Sequence, residues 1–245
     1  TVEIKNKFKV YEGDIRDKDF IEMIFLEALN NNQPIENVIH FAGLKSVSES
    51  FKNPILYWEN NVIGSINLVQ VMDKFNCKSL VFSSSATIYD SSNNNLIKEE
   101  HFIKPTSPYG KNKEIIEKFL NDVFLSDPKY WRIINLRYFN PIGAHQLGII
   151  GESPTSITTN IFPILTKVAR GEIKELKIFG NNWLTKDGTG VRDYVHVMDI
   201  AEGHIKAVEY LSNHLPQIVN VNLGSGKGTS VLELIKAFEN TNNVK

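Results

Sequence analysis

The chain has 245 residues and a nearly balanced charge, since 27 Lys and Arg oppose 28 Asp and Glu to give a net charge of −1. That balance leaves no broad basic or acidic surface, so neither nucleic acid nor a membrane surface is an expected partner. Hydrophobic residues make up 42% of the chain and charged residues 22%, which is typical of a globular protein with one or two domains. The single cysteine, Cys77, excludes an internal disulfide and a Cys-based zinc site, and no metal is expected. Because no signal sequence or membrane-spanning stretch is recognisable, we predict a cytoplasmic protein.

Up to Asn140, short apolar segments alternate with longer amphipathic ones. The short segments predict strands over residues 8–11, 38–43, 79–82 and 131–136. The longer segments have helical spacing and predict helices over residues 20–29, 57–75 and 108–125. Because strands and helices alternate, we expect an α/β fold with a doubly wound, mostly parallel sheet and helices on both faces. The strands are almost continuously apolar, so we expect both of their faces to be buried.

The alternation stops after Asn140. Residues 141–159 are rich in Gly, Ser, Thr and Pro and predict a long loop. Beyond the loop, the sequence predicts helices over 162–169, 196–211 and 231–238, strands over 176–179 and 219–223, and a polar, glycine-rich stretch over 180–190. We therefore divide the chain into a domain of residues 1–140 and a smaller substrate-binding region of residues 141–245, with the segment 194–224 returning to the first domain.

Polar or glycine-rich residues follow four of the predicted strands. These strand ends comprise residues 13–16, 41–45, 83–87 and 137–140. Ligands of an open parallel sheet bind beyond the carboxyl ends of its strands, so four such ends predict a shared binding crevice. Within it, Gly43 would let a ligand approach the backbone closely, although a simple turn glycine explains it equally well. Asp14 would accept a hydrogen bond from an adenine amine, or would cap a helix.

The glycine-rich turn that follows the first strand of a dinucleotide-binding domain is not present in the sequence. The segment GSGKG at residues 224–228 occurs late in the chain and is too short for a Walker loop, so we interpret it as a turn that leads into a helix. Since the first predicted strand would need neighbouring strands, we expect that the usual first βαβ unit lies outside this sequence.

Tyr109 and Lys113 are four residues apart at the start of a predicted helix, which places them on one helix face. A phenol has a pKa of about 10 and is a poor base near neutrality, but a neighbouring ammonium would lower that pKa. Tyr109 would then act as a general base toward a substrate hydroxyl, with Ser85 at the end of the preceding strand as a hydroxyl relay. Taken alone, a Tyr and a Lys at this spacing are more often a surface pair.

Eight segments of the sequence together carry a resemblance to a known family. They read GDIRD, VIHFAGLKSVSES, NNVIGSINLV, FSSSATIY, SPYGKNK, LRYFNPIGAH, IFGNNWLTKDGTGVRDYVHVMDIAEGH and NLGSGKGTSV. Through them the chain resembles the UDP-glucose 4-epimerase family of the extended short-chain dehydrogenase/reductase superfamily over nearly its whole length. The resemblance implies a Rossmann-like domain that binds NAD and a smaller domain that holds a UDP-hexose. It also implies interconversion of UDP-glucose and UDP-galactose through a 4-keto intermediate, as part of galactose metabolism.

The resemblance further implies roles for individual residues. Tyr109 would be the catalytic base, Lys113 the residue that lowers its pKa and binds the cofactor ribose, and Ser85 the hydroxyl relay. The implied cofactor-binding residues, besides Tyr109 and Lys113, are Asp14, Ile15, Phe41, Ala42, Gly43, Lys45, Asn60, Ser83 and Phe139. The implied substrate-binding residues, besides Ser85 and Tyr109, are Asn140, Asn160, Ile161, Lys177, Ile178, Phe179 and Arg192.

Among these residues, Arg192 suits a diphosphate because a guanidinium can bind phosphate oxygens through two N–H groups. A pair with Asp193 or Asp199 is the alternative for this side chain. Two parts of the family pattern are missing from the sequence, namely the N-terminal pyrophosphate-binding glycine turn and a C-terminal segment with a further phosphate-binding Arg. We therefore expect an internal piece of the family's chain with two incomplete domains, which by itself binds NAD poorly.

Two other functions remain open at this point. A nucleotide-sugar 4,6-dehydratase or a related epimerase shares the oxidation step, but the dehydratase subfamily has Thr-Asp-Glu where this chain has Ser85-Ala86-Thr87. A non-catalytic dinucleotide-binding protein of the same fold would have no need for the Tyr109, Lys113 and Ser85 set. The family is commonly dimeric, so helices over 57–75 and 114–125 are the candidates for a homodimer interface, unless their apolar faces pack in the core.

Overall fold

The computed structural model of the chain describes residues 8–90, 96–152 and 160–244 and contains two compact units. Unit 1 comprises Thr1–Leu136 and Ala207–Val221, and unit 2 comprises Arg137–Lys206 and Asn222–Lys245. The chain therefore passes from unit 1 into unit 2, returns to unit 1, and ends in unit 2.

Helices and strands alternate in the first part of the chain, as the sequence predicts. In order they are α1 (Lys18–Asn30), β1 (Asn37–His40), α2 (Val47–Lys52), α3 (Pro54–Tyr57), a π-helix (Trp58–Ile63), α4 (Gly64–Lys74), β2 (Ser79–Ser85), a 3₁₀ turn (Ala86–Ile88), α5 (Pro108–Ser126) and β3 (Arg132–Tyr138).

The later elements belong mostly to unit 2. They are β4 (Asn140–Ile142), α6 (Ile161–Ala169), β5 (Val191–His196), α7 (Val197–Asn213), β6 (Ile218–Leu223), β7 (Gly228–Ser230) and α8 (Val231–Asn242). Helix α7 ends in unit 1 and strand β6 begins there. Within unit 2, a three-stranded sheet has the order β4-β5-β7, in which β4 is parallel and β7 antiparallel to β5.

A four-stranded sheet with the order β1-β2-β3-β6 organises unit 1. Strands β1 and β2 are parallel, with Val38 opposite Leu80 and His40 opposite Phe82. The α/β fold with a parallel sheet that the sequence predicts is thereby confirmed. Strands β2 and β3 are buried on both faces, as the sequence predicts. Strand β1 is not, because it lies at the end of this strand order, and its Ile39 is 39% exposed.

The core of unit 1 packs the helices against this sheet. Its buried apolar side chains are Ile21, Phe25, Val62, Leu68, Val69, Val71, Met72, Cys77, Leu80, Phe82, Ile116, Leu120, Trp131 and Ile133. Fully burying an aliphatic or aromatic side chain contributes about 1.5–3 kcal/mol, so the set anchors each element firmly. Helix α5 contributes Ile116 and Leu120, and its buried face therefore fixes the position of its first turns, where Tyr109 lies.

Two aspartates of unit 2 accept hydrogen bonds that fix its loops. The Asp187 carboxylate accepts hydrogen bonds from the Thr189 amide at 2.9 Å and from the hydroxyl of Ser230, the N-cap residue of α8. The Asp193 carboxylate accepts hydrogen bonds from the amides of Ser225 and Gly226, both at 2.8 Å. The glycine-rich turn at 224–228 thus already binds a carboxylate. It leads into β7 and not directly into a helix, which corrects our interpretation of it.

Two of the predicted strands are wrong. Residues 8–11 and 176–179 form no strand, and neither segment has a ladder partner in the described part of the chain. A strand needs a neighbour that pairs its backbone groups and a face that packs. Phe8 is 67% exposed and Phe179 88% exposed, so neither segment has a packed face.

Other predicted bounds change in the structure. Strand β1 ends at His40, so residues 41–43 lie beyond it, and the predicted helix over 57–75 is interrupted by the π-helix. Strands β5 and β7 and helix α2 were not predicted, because each is short and has no clear apolar period. The start of the predicted loop over 141–159 belongs to β4. Residues 153–159 of that predicted loop lie outside the described residues.

No helix within residues 8–90, 96–152 and 160–244 is both long and apolar enough to cross a membrane. In the same ranges, no group of three or more His, Cys, Asp and Glu side chains could hold a metal ion.

Candidate active site

Three consecutive serines, residues 83–85, end strand β2, and each of them contacts one side chain of α5. The three α5 side chains are Tyr109, Lys113 and Glu117. Because they follow one another at intervals of four residues, they lie on one face of the helix. The end of β2 and this face of α5 therefore form a row of ionisable and hydroxyl groups in unit 1.

Helix α5 begins sharply at Pro108, which brings its first turn against the end of β2. The hydroxyl oxygen of Ser107, the N-cap residue, accepts a hydrogen bond from the Gly110 amide at 3.0 Å. A Cβ atom on Gly110 would lie 2.8 Å from the carbonyl oxygen of Thr87, so glycine permits this close approach. Tyr109, in the same turn, is therefore held next to the residues that follow β2.

Tyr109 is half-buried, and its phenol lies near the Ser85 hydroxyl. Burial raises the pKa of Tyr109, and the neighbouring Ser85 hydroxyl acts in the opposite direction. The Lys113 ammonium lies 5.8 Å from the centre of the Tyr109 ring. The sequence predicts a lowered pKa for this phenol; in the protein, burial outweighs that effect, so Tyr109 is protonated at neutral pH.

Lys113 is almost fully buried, with 5% of its surface exposed. Its Nζ donates a hydrogen bond to the main-chain oxygen of Ser83 at 2.6 Å and lies 4.7 Å from the centre of the Phe82 ring. Burial lowers the pKa of Lys113 to about 8, because the charged form loses its hydration, while the Glu117 carboxylate acts to raise it. The ammonium is therefore still mostly charged near neutrality.

Ser85 occupies the position between strand β2 and the 3₁₀ turn, where its side chain also caps that turn. Its hydroxyl oxygen accepts hydrogen bonds from the Thr87 amide at 3.2 Å and the Thr87 hydroxyl at 3.0 Å. These two donors hold the Ser85 hydroxyl oxygen in place near the Tyr109 phenol. The structure thus brings together the three residues for which the sequence predicts a catalytic role, Tyr109, Lys113 and Ser85.

A groove of about 330 Å³ opens at the carboxyl end of β1. It is lined by residues 13–15, residues 42–44 and Asn60. Five of the predicted cofactor-binding residues, namely Asp14, Ile15, Ala42, Gly43 and Asn60, therefore lie around one opening in unit 1. Phe41 and Lys45 lie in the same loop with exposed side chains, and Ser83 contacts Lys113 as described.

Asn61 fixes the loop that forms one wall of this groove. Its side-chain oxygen accepts a hydrogen bond from the Leu44 amide at 2.7 Å, and its side-chain nitrogen donates to the Leu44 carbonyl at 3.0 Å. Asn60 and Asn61 both belong to the π-helix, a form that occurs frequently at functional sites. The wider turn lets two adjacent side chains serve the groove, Asn60 as lining and Asn61 as support.

Asp14 does not cap a helix, because the N-cap residue of α1 is Asp17. Its carboxylate instead accepts hydrogen bonds from the Arg16 guanidinium, the shortest at 2.6 Å, and from the Arg16 amide at 2.8 Å. These bonds lower the pKa of Asp14 to about 2, so the carboxylate is ionised at neutral pH and can accept further hydrogen bonds.

The remaining predicted residues belong to unit 2. Asn140 starts β4, and its amide donates to the main-chain oxygen of Asp193 at 3.1 Å. Asn160 donates to Glu152 at 2.7 Å, and Ile161 begins α6. The others are exposed or partly exposed, namely Phe139, Lys177, Ile178, Phe179 and Arg192.

Arg192 forms no pair with Asp193 or Asp199 in the part of the chain that the structure describes. Its guanidinium donates instead to the main-chain oxygen of Val191 at 2.8 Å. The Asp193 carboxylate instead accepts hydrogen bonds from the backbone of the turn at 224–226. The alternative that Arg192 pairs with one of these aspartates therefore does not hold.

Sequence reasoning missed His40, Asn61 and Glu117. His40 is buried, and its Nε2 lies 2.7 Å from the Ser65 hydroxyl oxygen, which itself donates to the main-chain oxygen of Asn61. The Ser65 hydroxyl must therefore accept from Nε2–H, and burial together with the Lys113 charge lowers the pKa of His40 to about 3. Only Glu117 had a sequence signal, because it continues the four-residue spacing of Tyr109 and Lys113.

Most of the chain matches known proteins. The model of the NAD dependent epimerase/dehydratase family matches residues 1–222. UDP-glucose 4-epimerase 2 of Oryza sativa subsp. japonica is 48% identical over 236 residues, which cover 96% of this chain and 56% of that protein. UDP-glucose 4-epimerase of Neisseria meningitidis serogroup A is 47% identical over 234 residues, which cover 94% of this chain and 66% of that protein. The chain thus spans between about half and two thirds of the length of these curated relatives.

Solved structures also resemble the chain, both in fold and in sequence. UDP-glucose 4-epimerase from Bifidobacterium longum, in complex with NAD+ and UDP, superposes with a TM-score of 0.89 at 44% identity, covering 99% of this chain and 71% of that one. The enzyme from Stenotrophomonas maltophila, with bound NAD and formylated UDP-arabinopyranose, has a TM-score of 0.89 at 41% identity, covering 96% of this chain and 68% of that one.

Proposed function

Because the chain belongs to the NAD dependent epimerase/dehydratase family, we propose that the protein interconverts UDP-glucose and UDP-galactose through a 4-keto intermediate, with NAD as cofactor. The observation that carries the proposal is the position of Tyr109 next to Ser85, with the buried Lys113 ammonium 5.8 Å from the centre of the Tyr109 ring. A phenol, a hydroxyl and an ammonium in this arrangement can remove a proton from a substrate alcohol and return it. The relatives with this activity support the choice of UDP-hexoses as substrates.

The groove in unit 1 fits part of a dinucleotide. A Cβ atom on Gly43 would lie 3.1 Å from the Asn61 side-chain oxygen and would fill space at the groove wall, so glycine keeps that wall open to a ligand. The ionised Asp14 suits an adenine amine, and the Lys113 ammonium suits ribose hydroxyls. When bound, NAD supplies the acceptor and donor of the hydride at C4 of the hexose and an additional positive charge.

In the proposed mechanism, the Tyr109 phenol first loses its proton to solvent, and the phenolate then receives the proton of the hexose 4-hydroxyl, directly or through the Ser85 hydroxyl. The Lys113 ammonium stabilises the phenolate, which opposes the effect of burial on the pKa of Tyr109. Since Lys113 is held by the Ser83 carbonyl and does not lose its proton, Tyr109 can return the same proton to O4 when the sugar is reduced on its opposite face. The reaction is redox-neutral, and the protein contributes orientation and electrostatic stabilisation.

Unit 2 would hold the UDP moiety, with Asn140, Asn160, Ile161, Lys177, Ile178, Phe179 and Arg192 as binding residues and Phe139 toward the cofactor. The exposed guanidinium of Arg192 forms no ion pair within the described residues and donates one hydrogen bond to the Val191 carbonyl. This supports a role in binding the diphosphate, because its other N–H groups remain available to phosphate oxygens. In this proposal, residues 1–140 form the NAD-binding domain and residues 141–245 form the UDP-sugar-binding region.

A 4,6-dehydratase would need an acid and a base to eliminate water, and Ser85-Ala86-Thr87 offers no carboxylate at that position. A non-catalytic protein would not require a buried lysine against the phenol ring, since burying an ammonium costs stability. Both features favour the epimerase over these alternatives.

The activity test compares the chain with a chimera that carries the N-terminal and C-terminal segments of the 48%-identical rice relative. We expect the chimera to convert UDP-galactose to UDP-glucose in a UV-followed coupled assay, and the chain alone to be less active and to bind NAD more weakly in calorimetry. A chimera that binds NAD but converts no UDP-hexose would disprove the proposal. Formation of a 4-keto-6-deoxy product would support the dehydratase instead.

We also propose that the protein works in the cytoplasm as a homodimer. The buried, unpaired Cys77 suits a reducing compartment. Trp58 and Ile63 expose 40% and 49% of their surface in the π-helix, within residues 57–75, where the sequence predicts a dimer interface. Ile55, which lies in α3 just before this segment, exposes 74% of its surface and extends the apolar patch. We expect light scattering to give twice the 27.8 kDa chain mass for the wild type, and Ile55→Glu to shift the population to monomer. A monomeric wild type at micromolar concentration would contradict the proposal.

A further inference from the structure

Segment 40–46, which runs from the end of β1 to the N-cap residue of α2, forms one wall of the groove in unit 1. It has little packing of its own, because Phe41 is 58% exposed and Ala42 and Lys45 are exposed as well. A surface loop without packed side chains is ordinarily mobile. The place of this wall therefore depends on the hydrogen bonds that other elements make to it.

Three buried side chains of the following helices make such bonds, and we call them the anchor residues. They are Tyr57 of α3, Asn61 of the π-helix and Ser65 of α4, and each is at most 2% exposed. The Tyr57 hydroxyl oxygen accepts a hydrogen bond from the Ser46 amide at 2.9 Å, while its proton is donated to the Glu49 carboxylate. Asn61 binds both backbone groups of Leu44.

The third anchor residue, Ser65, contacts both the start of the segment and the second anchor residue. Its hydroxyl oxygen lies 2.7 Å from His40 Nε2, and the hydroxyl donates to the main-chain oxygen of Asn61 at 2.6 Å. Because the hydroxyl proton is used for Asn61, the oxygen accepts from His40 Nε2–H. His40 is only 3% exposed, so this bond is shielded from water. The segment is thus held at its first residue, at Leu44 and at Ser46.

The π-helix explains how one helical segment can hold the wall at three points. Positions 57, 61 and 65 are four residues apart, and in an ordinary α-helix eight residues exceed two full turns by about 80°. A π-helical turn contains one additional residue, so the eight residues from Tyr57 to Ser65 cover about two turns. The three anchor residues therefore face segment 40–46 together.

We propose that Tyr57 and Ser65 act with Asn61 as positioning residues that hold the wall of the groove in its binding conformation before NAD arrives. The inference deepens the proposed function, because it rests on NAD as the occupant of the groove. An ordered wall spares the dinucleotide the entropic cost of fixing a mobile loop when it binds. The anchor residues thus set the affinity for NAD, although they themselves are buried, and leave the reacting groups of β2 and α5 unaffected.

The first test measures amide hydrogen exchange by NMR in the 245-residue chain without any ligand. We expect the amides of Leu44 and Ser46 to be protected, although they belong to a surface loop. Ser65→Ala removes a hydroxyl that bonds neither amide, yet it should speed exchange at Leu44 by about three- to tenfold, because Asn61 loses its support. Tyr57→Phe keeps the ring, removes the acceptor of the Ser46 amide, and should speed exchange there by a similar factor.

Matched controls remove similar hydroxyl groups elsewhere in unit 1. Ser212→Ala deletes an exposed hydroxyl that donates to the carbonyl four residues earlier in α7, as Ser65 does in its own helix. Tyr210→Phe deletes the phenol oxygen of a tyrosine that is 38% exposed. Neither control should change the exchange rate of the Leu44 or Ser46 amide.

Two results of this test would overturn the proposal. One is a wild-type chain in which the Leu44 and Ser46 amides are unprotected. The other is a pair of variants that accelerate these amides only as much as the slowest amides of β2, which report global unfolding, because the anchor residues would then contribute to stability alone. If Ser65→Ala does not fold by circular dichroism, Tyr57→Phe decides.

The second test measures the Kd for NAD and kcat in the chimera. We expect the double variant Tyr57→Phe/Ser65→Ala to raise Kd by about tenfold, since binding must then order the wall, and to leave kcat at saturating NAD close to that of the wild type. An unchanged Kd would refute the role of the anchor residues. A wild-type chimera that binds NAD but converts no UDP-hexose would count against the proposed activity, whereas the exchange rates need neither NAD nor substrate and count for or against the anchor residues alone.

Discussion

Replacing Tyr109 with Phe is expected to lower kcat for UDP-galactose conversion by about 10²–10⁴-fold, the usual contribution of a positioned general acid–base group. The variant keeps the aromatic ring beside Lys113 but has no group that can exchange a proton with the hexose 4-hydroxyl. Ser85 remains, yet its hydroxyl has no partner to pass the proton to. The effect should therefore fall on kcat, with KM nearly unchanged, in the coupled assay of the chimera.

The fold should survive this substitution. The substitution removes only the phenol oxygen, a partly buried polar group near Ser85, and the loss of one such polar contact costs at most about 1 kcal/mol. Urea unfolding should thus give midpoints close to those of the wild type. Tyr130→Phe, at a tyrosine that is 58% exposed, is the matched control and should retain full activity. Near-normal turnover by Tyr109→Phe would show that another group takes the proton.

Lys113→Met is expected to abolish turnover to a similar extent and to change how stability depends on pH. Burial lowers the pKa of Lys113 from its ordinary 10.5 to about 8, so between these pH values the unfolded chain binds more protons than the folded chain. The free energy of unfolding of the wild type should therefore rise with pH through this window relative to the variant. Each unit of pKa difference corresponds to about 1.4 kcal/mol.

Urea unfolding of both proteins at intervals from pH 7 to pH 11 measures this difference directly. Lys111→Met, which alters an exposed lysine of the same helix, should match the wild type in turnover. A constant difference in unfolding free energy between wild type and Lys113→Met across the window would mean that Lys113 does not titrate there. Retained activity in Lys113→Met would mean that the phenolate needs no ammonium.

The row on α5 illustrates what sequence can predict. The spacing of Tyr109 and Lys113, the N-cap serine and the following Pro108 are local features, and a helix of fixed period converts them into geometry without knowledge of the rest of the chain. The position of Ser85 followed from the rule that sites form at strand ends. Glu117 has the same spacing, but a glutamate on a helix usually faces solvent, and only its burial against Ser84 reveals its place.

Features that depend on distant partners were not predictable in this way. Asn61 acts through Leu44, and His40 acts through Ser65, so neither role follows from a local pattern. The predicted strand at residues 176–179 has a suitable apolar pattern, yet pairing is decided by neighbours that a pattern does not contain. The pKa of Tyr109 also differs from expectation, since the degree of burial of a phenol depends on the packed structure.

The π-helix limits how this segment can vary in length. Its wide turn contains one residue more than an α-helical turn would, so removing one of its six residues would convert it to ordinary α-helix without changing the rotation of α4 about the helix axis. Ser65 would then still face His40, but Asn60 and Asn61 would no longer both serve the groove. A single deletion between Trp58 and Ile63 would therefore damage the wall of the groove while it leaves the packing of α4 behind that wall in place.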